Sequence, residues 1–241
     1  MSFRATILTP FPDLAQAVIT TSILGRAGER GIVAYAVINL FDFAEGPHNK
    51  IDDQPFGGGA GMIMKPEPIF RAYDHLCAGP GGKPDRVVFP TPDGVPFTQA
   101  AAAELARADH LLVICGHYKG VDQRVRDRLV TDEYSIGDFV VTGGELPGLL
   151  MLDAVVRLRE GALHTSASAE TDSFSAELLD GPHYTRPREY RDMAVPEVLL
   201  SGDHGKIAAW RQALREEQTR KRRPDLWARY QAGRNESQEQ D

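Results

Sequence analysis

The chain has little cysteine, no long uncharged apolar run and no overall excess of positive charge. Its two cysteines, Cys77 and Cys115, stand in unrelated contexts, which offers no disulfide framework and suits a reducing compartment. Cys115 lies two residues from His117, but no second ligand pair follows, so the expectation is a buried structural thiol rather than a metal ligand. Nowhere do about 18 uncharged apolar residues run together, and the first residues hold no apolar stretch of signal-peptide length. These gaps predict a cytoplasmic protein that neither spans nor enters a membrane. The formal net charge of −7 argues against an indiscriminate nucleic-acid coat. What is present is ordinary for a globular chain: 241 residues, 42% hydrophobic and 25% charged, enough for one large core or two domains.

The charge is unevenly spread. Between residues 201 and 223, Lys206, Arg211, Arg215, Arg220, Lys221, Arg222 and Arg223 outnumber Asp203, Glu216 and Glu217. An acidic body with one basic segment can bind a polyanion at a chosen place.

Hydrophobic periodicity sets the organisation. Residues 5–8 and 32–40 read as strands, joined by an amphipathic segment at 13–24. A long loop at 42–62 follows, and loops of that length inside compact domains are more often functional than idle. Its glycines do not follow directly on a strand, and no acidic residue closes a second strand, which disfavours a dinucleotide fingerprint. Then come a helix at 65–76, a strand at 86–89 and the turn Pro90-Thr-Pro-Asp-Gly94. Thr98 caps a helix running to 108, and the apolar run 111–115 reads as a strand buried on both faces. The turn Gly116-His-Tyr-Lys-Gly120 and a helix at 121–130 complete the alternation. Alternating strands and helices imply a parallel α/β sheet, whose ligand sites lie beyond the carboxyl ends of strands.

Three turns occupy such ends, at 90–94, 116–120 and 136–144. The third belongs to the stretch running from Tyr134 to Gly148, where Gly137, Gly143 and Gly144 permit positive φ and close backbone approach. That suits a loop bent round a flat ligand; the plainer reading is a tight turn before a helix at 149–158 whose first turn tolerates Pro. Residues 161–175 form a Ser/Ala/Thr-rich linker carrying Glu170, Asp172 and Phe174, of a polar kind that stays flexible unless a partner orders it. Residues 178–187 are turn-rich, aromatic and basic. Helical spacing returns at Ile207, Trp210 and Leu214, and Pro224 opens a short helix through Tyr230, with a frayed tail at 235–241.

Five segments now stand in order: Gly57-Gly-Gly-Ala-Gly-Met62, Cys115-Gly-His-Tyr-Lys-Gly-Val-Asp122, Ser135-Ile-Gly-Asp-Phe-Val-Val-Thr-Gly-Gly-Glu-Leu-Pro147, Asp172-Ser-Phe174 and Pro182-His-Tyr-Thr-Arg-Pro187. Together they closely resemble the bacterial tRNA (guanine-N1)-methyltransferases, from Phe11 to about Trp227. The resemblance implies an α/β fold: a parallel-sheet domain at 1–162 with a deep trefoil knot of the SPOUT class, a linker at 163–176, and a small all-helical tRNA-binding domain at 177–241. Periodicity alone would not suggest a knot.

The resemblance also implies S-adenosyl-L-methionine as cofactor, cradled by Pro92, Gly116, Tyr118, Ile136, Gly137, Asp138, Phe139, Val140, Val141, Gly143 and Gly144. It implies methylation of guanosine 37 in the anticodon stem-loop of tRNA, Asp172 being the general base and Arg157 stabilising charge at the guanine O6. As plain sequence features, Asp172 could be a helix cap and Arg157 an exposed helix charge. His183, Tyr184 and Arg186 are placed to meet the unstacked base, and Arg220, Arg222 and Arg223 to grip phosphate, with a solvated helix end as the plain alternative. A homodimer sharing its active sites between subunits is implied as well. The chain departs from the family's pattern at Lys119, where a glutamate tied to a magnesium requirement is usual, and at Thr171, where a glutamate often precedes the aspartate. Those departures leave Mg2+ open and admit two alternatives: a knotted methyltransferase for another RNA site, and an RNA-binding homologue without catalysis.

Overall fold

The computed structural model describes residues 3–46, 48–163, 172–174 and 176–238, with side chains described through 234. The chain divides into two compact units, Met1–Ser166 and Ala167–Asp241. Most of the expected linker, including Glu170 and Thr171, lies outside the described residues.

In the first unit the elements run β1 (Phe3–Thr9), α1 (Pro12–Ile19), α2 (Ser22–Glu29), β2 (Val33–Asn39), a 3-10 turn (Leu40–Phe43), β3 (Asp52–Asp53), β4 (Ile63–Met64), α3 (Pro66–Ala78), β5 (Arg86–Pro96), α4 (Gln99–Leu105), β6 (His110–Ile114), α5 (Gln123–Leu129), β7 (Asp132–Ser135) and α6 (Glu145–Val156). Five strands form one parallel sheet in the order β2-β1-β6-β5-β7. Successive side chains of a strand point to opposite faces, and here both faces are covered. Phe3, Ala5 and Ile7 of β1 join Leu111 and Val113 of β6 in a core with α1, α2, α4 and α6. Leu8, Leu112 and Ile114 belong to the opposite core, with Ile69 of α3 and Val125 and Leu129 of α5. Helix α6 is apolar nearly all round: it buries Leu149, Met151, Leu152, Val155 and Val156 and leaves Leu146 and Leu150 exposed.

Several boundaries differ from the sequence expectation. The amphipathic segment at 13–24 is two helices, because the Thr20 and Thr21 hydroxyls donate to the carbonyls of Gln16 and Ala17 and close the first one. Ser22 then takes a positive φ of 54° to start the second. Strand β5 does not stop at Phe89: residues 91–94 loop out between Pro90 and Val95, both of which pair with Tyr134 of β7. The second half of the long loop at 42–62 is closed off by the antiparallel pair of β3, in its middle, with β4 at its end. Helix α6 begins at Glu145, ahead of the expected 149, since Pro147 falls in the first turn where its missing N–H costs no hydrogen bond.

The second unit holds a 3-10 turn (Glu197–Leu200), α7 (His204–Arg222) and α8 (Pro224–Gln238). Asp203 caps α7 by accepting from the Lys206 N–H at 3.1 Å. Pro224 separates the two helices, because proline drives the preceding residue out of the helical region; α8 then runs past Tyr230 to Gln238. The unit is not all-helical. A hairpin pairs β8 (Glu189–Tyr190) with β9 (Met193–Ala194). Arg191 and Asp192 at its tip take φ of 51° and 60°, the pair of positive values that a tight turn needs to match strand twist.

Candidate functional site

The carboxyl ends of β5, β6 and β7 lie side by side, so the turns that follow them converge on one cleft. Pro90, Thr91 and Pro92 form one wall; Gly116, His117, Tyr118 and Lys119 form the second; Ile136, Phe139, Val140, Val141, Gly143 and Gly144 form the third. Gly137 and Asp138 belong to the same loop but do not line the cleft. Phe89, Tyr134, Ser135 and Pro147 do line it and were not among the residues expected there. Tyr134, Ser135 and Pro147 flank the third turn in the sequence, whereas Phe89 is brought to the rim only by the sheet order.

Two glycines allow the second and third walls to touch. The Gly144 N–H donates to the Gly116 carbonyl at 2.7 Å, and residues His117 and Gly143 form an antiparallel bridge. A Cβ on Gly144 would stand 2.7 Å from the Gly116 nitrogen and 3.0 Å from the Cys115 Cα, so backbone would meet side chain with no room to yield. Gly137 serves a different need: its φ of 143° is open to few other residues. Its carbonyl accepts from the Ser135 hydroxyl at 3.0 Å, and the Phe139 N–H donates to the same carbonyl at 2.9 Å. Among the described residues, no protein group accepts from the N–H of Asp138, Val140 or Val141. Apolar side chains with unspent backbone donors make a surface suited to a flat, heteroatom-edged ring.

Beneath the walls lies a buried polar cluster. Glu145 is buried at the start of α6, where a carboxylate is favoured by the helix dipole. It accepts from the Thr9 hydroxyl at 2.9 Å, and that hydroxyl in turn accepts from the Phe11 N–H. The Glu145 carboxylate and the His117 ring both press on Gly143, which has no side chain to displace them. His117 Nδ1 is buried and has no hydrogen-bond partner among the described residues, although the ring packs edge-on against Phe11. Cys115 is fully enclosed; burial, with the nearby Glu145 charge, pushes its thiol well above the usual range. It is therefore an inert packing group. Lys119 extends its aliphatic stem across Gly61 of the glycine-rich loop, 2.8 Å from where a Cβ would stand. Tyr118 holds a positive φ of 59° beside it, and burial with the Asp52 charge raises its phenol.

Arg157 is the C-cap residue of α6. Asp172 is half-buried at the beginning of the described part of the second unit. Within that unit, His183, Tyr184 and Arg186 line a second, open cleft together with Arg188, Arg211 and Ile207. His183 Nε2 pairs with Asp180 at 2.8 Å, and the Tyr184 ring stands 6.4 Å from Trp210. Arg220, Arg222 and Arg223 are not in that cleft but in and just after the last turn of α7. Arg223 is forked onto Asp225 at 2.9 and 2.6 Å and lies over the Phe174 ring. Among the described residues, no group of three or more His, Cys, Asp or Glu side chains converges in a way that could hold a metal ion. No helix there is long and apolar enough to cross a membrane.

Comparison with known proteins fits this geometry. A family described as tRNA (Guanine-1)-methyltransferase TrmD matches residues 3–229. A tRNA (guanine-N(1)-)-methyltransferase of Desulforamulus reducens is 52% identical over 223 residues, covering 92% of this chain and 88% of its own. One from Bacillus subtilis is 50% identical over 219 residues, covering 91% and 90%, and one from Anoxybacillus flavithermus is 49% identical over 225 residues, covering 93% and 91%. With a family match spanning nearly the whole chain and relatives at half identity or close to it, the chain belongs to the tRNA (guanine-1)-methyltransferase family, TrmD.

Proposed function

We propose that the protein methylates N1 of guanosine 37 in tRNA, using S-adenosyl-L-methionine bound in the cleft of the first unit. The observation that carries this reading is the cleft itself: three turns at adjacent strand ends, one with unspent backbone donors among apolar side chains. The residues fit the cofactor, since Ile136, Val140 and Val141 supply apolar contact and the N–H groups of the loop supply donors for an adenine edge. Gly116 and Gly144 let the walls of the cleft close on one another, because a Cβ at either position would strike protein atoms already there. The tight passage of Gly144 against Gly116 also supports a trefoil knot in this region.

When bound, S-adenosyl-L-methionine supplies an electrophilic methyl group on a sulfonium. The remaining work falls to side chains. Asp172 would accept the N1 proton of the target guanine, leaving a nitrogen lone pair to take the methyl group as its bond to sulfur breaks and a neutral thioether departs. Arg157 faces the negative charge that collects at O6 as the proton leaves. His183, Tyr184 and Arg186 receive the unstacked anticodon loop, where aromatic and cationic contacts offset the few kcal/mol that unstacking costs. Arg220 and Arg222 serve as phosphate contacts, whereas Arg223 is already engaged by Asp225. Lys119 brings an ammonium to the cleft where the family usually has a glutamate, and among the described residues no three acidic, imidazole or thiol side chains converge, so no residue is assigned to magnesium. No step is routed through it.

The reading includes a homodimer. Leu146 and Leu150, one turn apart on α6, are 60% and 52% exposed, and Val140 is 81% exposed. That apolar face on an otherwise buried helix suits a second copy.

The test is transfer of labelled methyl from S-adenosyl-L-methionine to a tRNA transcript with guanosine 37, beside a matched transcript lacking it, with and without a chelator. Label confined to the first transcript is expected, and the chelator lanes report whether the Lys119 departure has changed the need for magnesium. Label at another nucleoside would move the activity to a different RNA site, and tRNA binding with no label would leave an RNA-binding protein. Asp172→Ala should lower turnover by at least about a hundredfold while leaving cofactor affinity unchanged; full activity in that variant would remove the role given to Asp172.

A further inference from the structure

We propose that Arg126 is the positioning residue that holds the three walls of the cleft in register. Arg126 lies on α5 and lines no part of the cleft, yet its guanidinium reaches a group tied to each wall. Its Nε and Nη2 fork onto the Glu133 carboxylate at 2.8 and 2.5 Å, and Glu133 immediately precedes Tyr134 and Ser135 at the base of the third wall. The same Nη2 donates to Asp93 Oδ2 at 2.8 Å. The other oxygen of Asp93 accepts from the Thr91 hydroxyl, which fixes the first wall. The Arg126 Cζ sits 5.7 Å from the centroid of the Phe89 ring. That ring fills the space where a Gly116 Cβ would stand, 2.9 Å away, and so supports the second wall from below.

The chemistry of the cluster explains why one cation controls it. Asp93 and Glu133 are two carboxylates on two chain segments in direct contact, since a Cβ on the neighbouring Gly94 would lie 2.7 Å from the backbone of Glu133. Without Arg126 they would repel, driving the 90–94 turn away from β7 and widening the cleft. A planar fork with several fixed donors can satisfy both carboxylates and stack on a ring at once, which a lysine ammonium cannot. The Arg126 side chain is 19% exposed against 61% for Asp93, so the hub is the shielded member and the turn the exposed one.

The inference rests on the cleft being the cofactor site, and the experiment separates the two claims. Titration calorimetry with S-adenosylhomocysteine is run on the unaltered protein, Arg126→Met, Arg126→Lys, Asp93→Asn and Arg86→Met, with a thermal melt of each. Arg86 is the matched control. It makes a comparable fork onto Asp132 and a bond to Glu104, and neither partner lies in the three turns.

Arg126→Met is expected to bind at least about tenfold more weakly, Arg126→Lys at an intermediate level because it restores charge without the fork, and Asp93→Asn measurably more weakly. Arg86→Met should lower Tm with affinity unchanged. Should Arg126→Met fail to fold, Asp93→Asn decides alone, since it removes one charge at an exposed position and undoes only the link to the first wall. Unchanged affinity in Arg126→Met, or in Asp93→Asn where that variant decides, overturns the proposal. So do equal losses of affinity in Arg126→Met and Arg86→Met, which would make the effect one of general stability. Absence of binding in the unaltered protein overturns the cofactor reading itself.

Discussion

At the scale of single residues, the most consequential side chains are charged groups in partly buried pairs. Burial pushes the Asp132 carboxyl up, but the Arg86 fork and the Thr131 hydroxyl outweigh it and hold the group below its ordinary value. Asp93 is held low by the Thr91 hydroxyl and by Arg126. A carboxyl depressed in the folded state binds fewer protons there than in the unfolded chain, so its contribution is complete above the unfolded value, near 3.9, and is lost as pH falls through the folded one. The urea midpoint should therefore stay level from pH 7 to about pH 5 and fall in more acidic buffer. Arg86→Met should cost about 1–3 kcal/mol at pH 7 through the hydrogen bonds it strips from Asp132, and its acid dependence should be shallower. A midpoint in that variant with the same acid slope as the unaltered protein would mean that other carboxylates carry the effect.

At the scale of elements, the turn into α6 matters most. Its first residue is the buried Glu145, its N-cap is Gly144, and its apolar body is wedged into one face of the sheet. Gly144→Ala places a methyl group against the backbone of Gly116 and Cys115, neither of which is a flexible side-chain end. Overpacking of that kind costs about 1–3 kcal/mol, and the strain falls on the contact between the second and third walls. The expected outcome is a lower Tm together with weakened S-adenosylhomocysteine binding. Gly148→Ala is the informative companion: its closest approach would be 2.7 Å to a Val113 methyl in the core, with the Pro90 ring of the first wall only at ordinary contact distance, 3.5 Å. It should lower Tm with the smaller effect on affinity.

At the scale of the whole molecule, α6 presents an exposed apolar face at Leu146 and Leu150, the face proposed to meet a second copy. Leu150→Asp should shift the sedimentation of the protein toward that of a monomer, because a carboxylate buried across a two-fold contact would face its own copy. If Leu150→Asp sediments as the unaltered protein does, this face is not the contact. Activity of the same variant reports whether each site needs the second copy. A monomer that still methylates would detach the dimer from catalysis.

Much of this was legible in local pattern, since strand and helix periods, the Thr98 cap and the turn glycines depend on neighbours within a few residues. The alternation alone predicted a parallel α/β sheet with turns at 90–94, 116–120 and 136–144. The Pro224 break was visible too, because proline acts on the residue beside it. What the tertiary structure decided is adjacency. The order β2-β1-β6-β5-β7 puts the ends of β6, β5 and β7 next to one another, which no period within a strand encodes. The reach of Arg126 to Glu133 and Asp93, the ring of Phe89 under Gly116 and the passage of Gly144 against Gly116 join residues that are distant along the chain or point across elements. The hairpin at 189–194 was missed for a subtler reason: its strands are two residues each, too short to show an alternation, and its turn uses Arg191 and Asp192 in place of glycine. Sequence therefore determined which segments could form strands, helices and ligand-facing turns, and long-range packing determined which of those turns meet, because contact between distant segments is set by how the whole core closes.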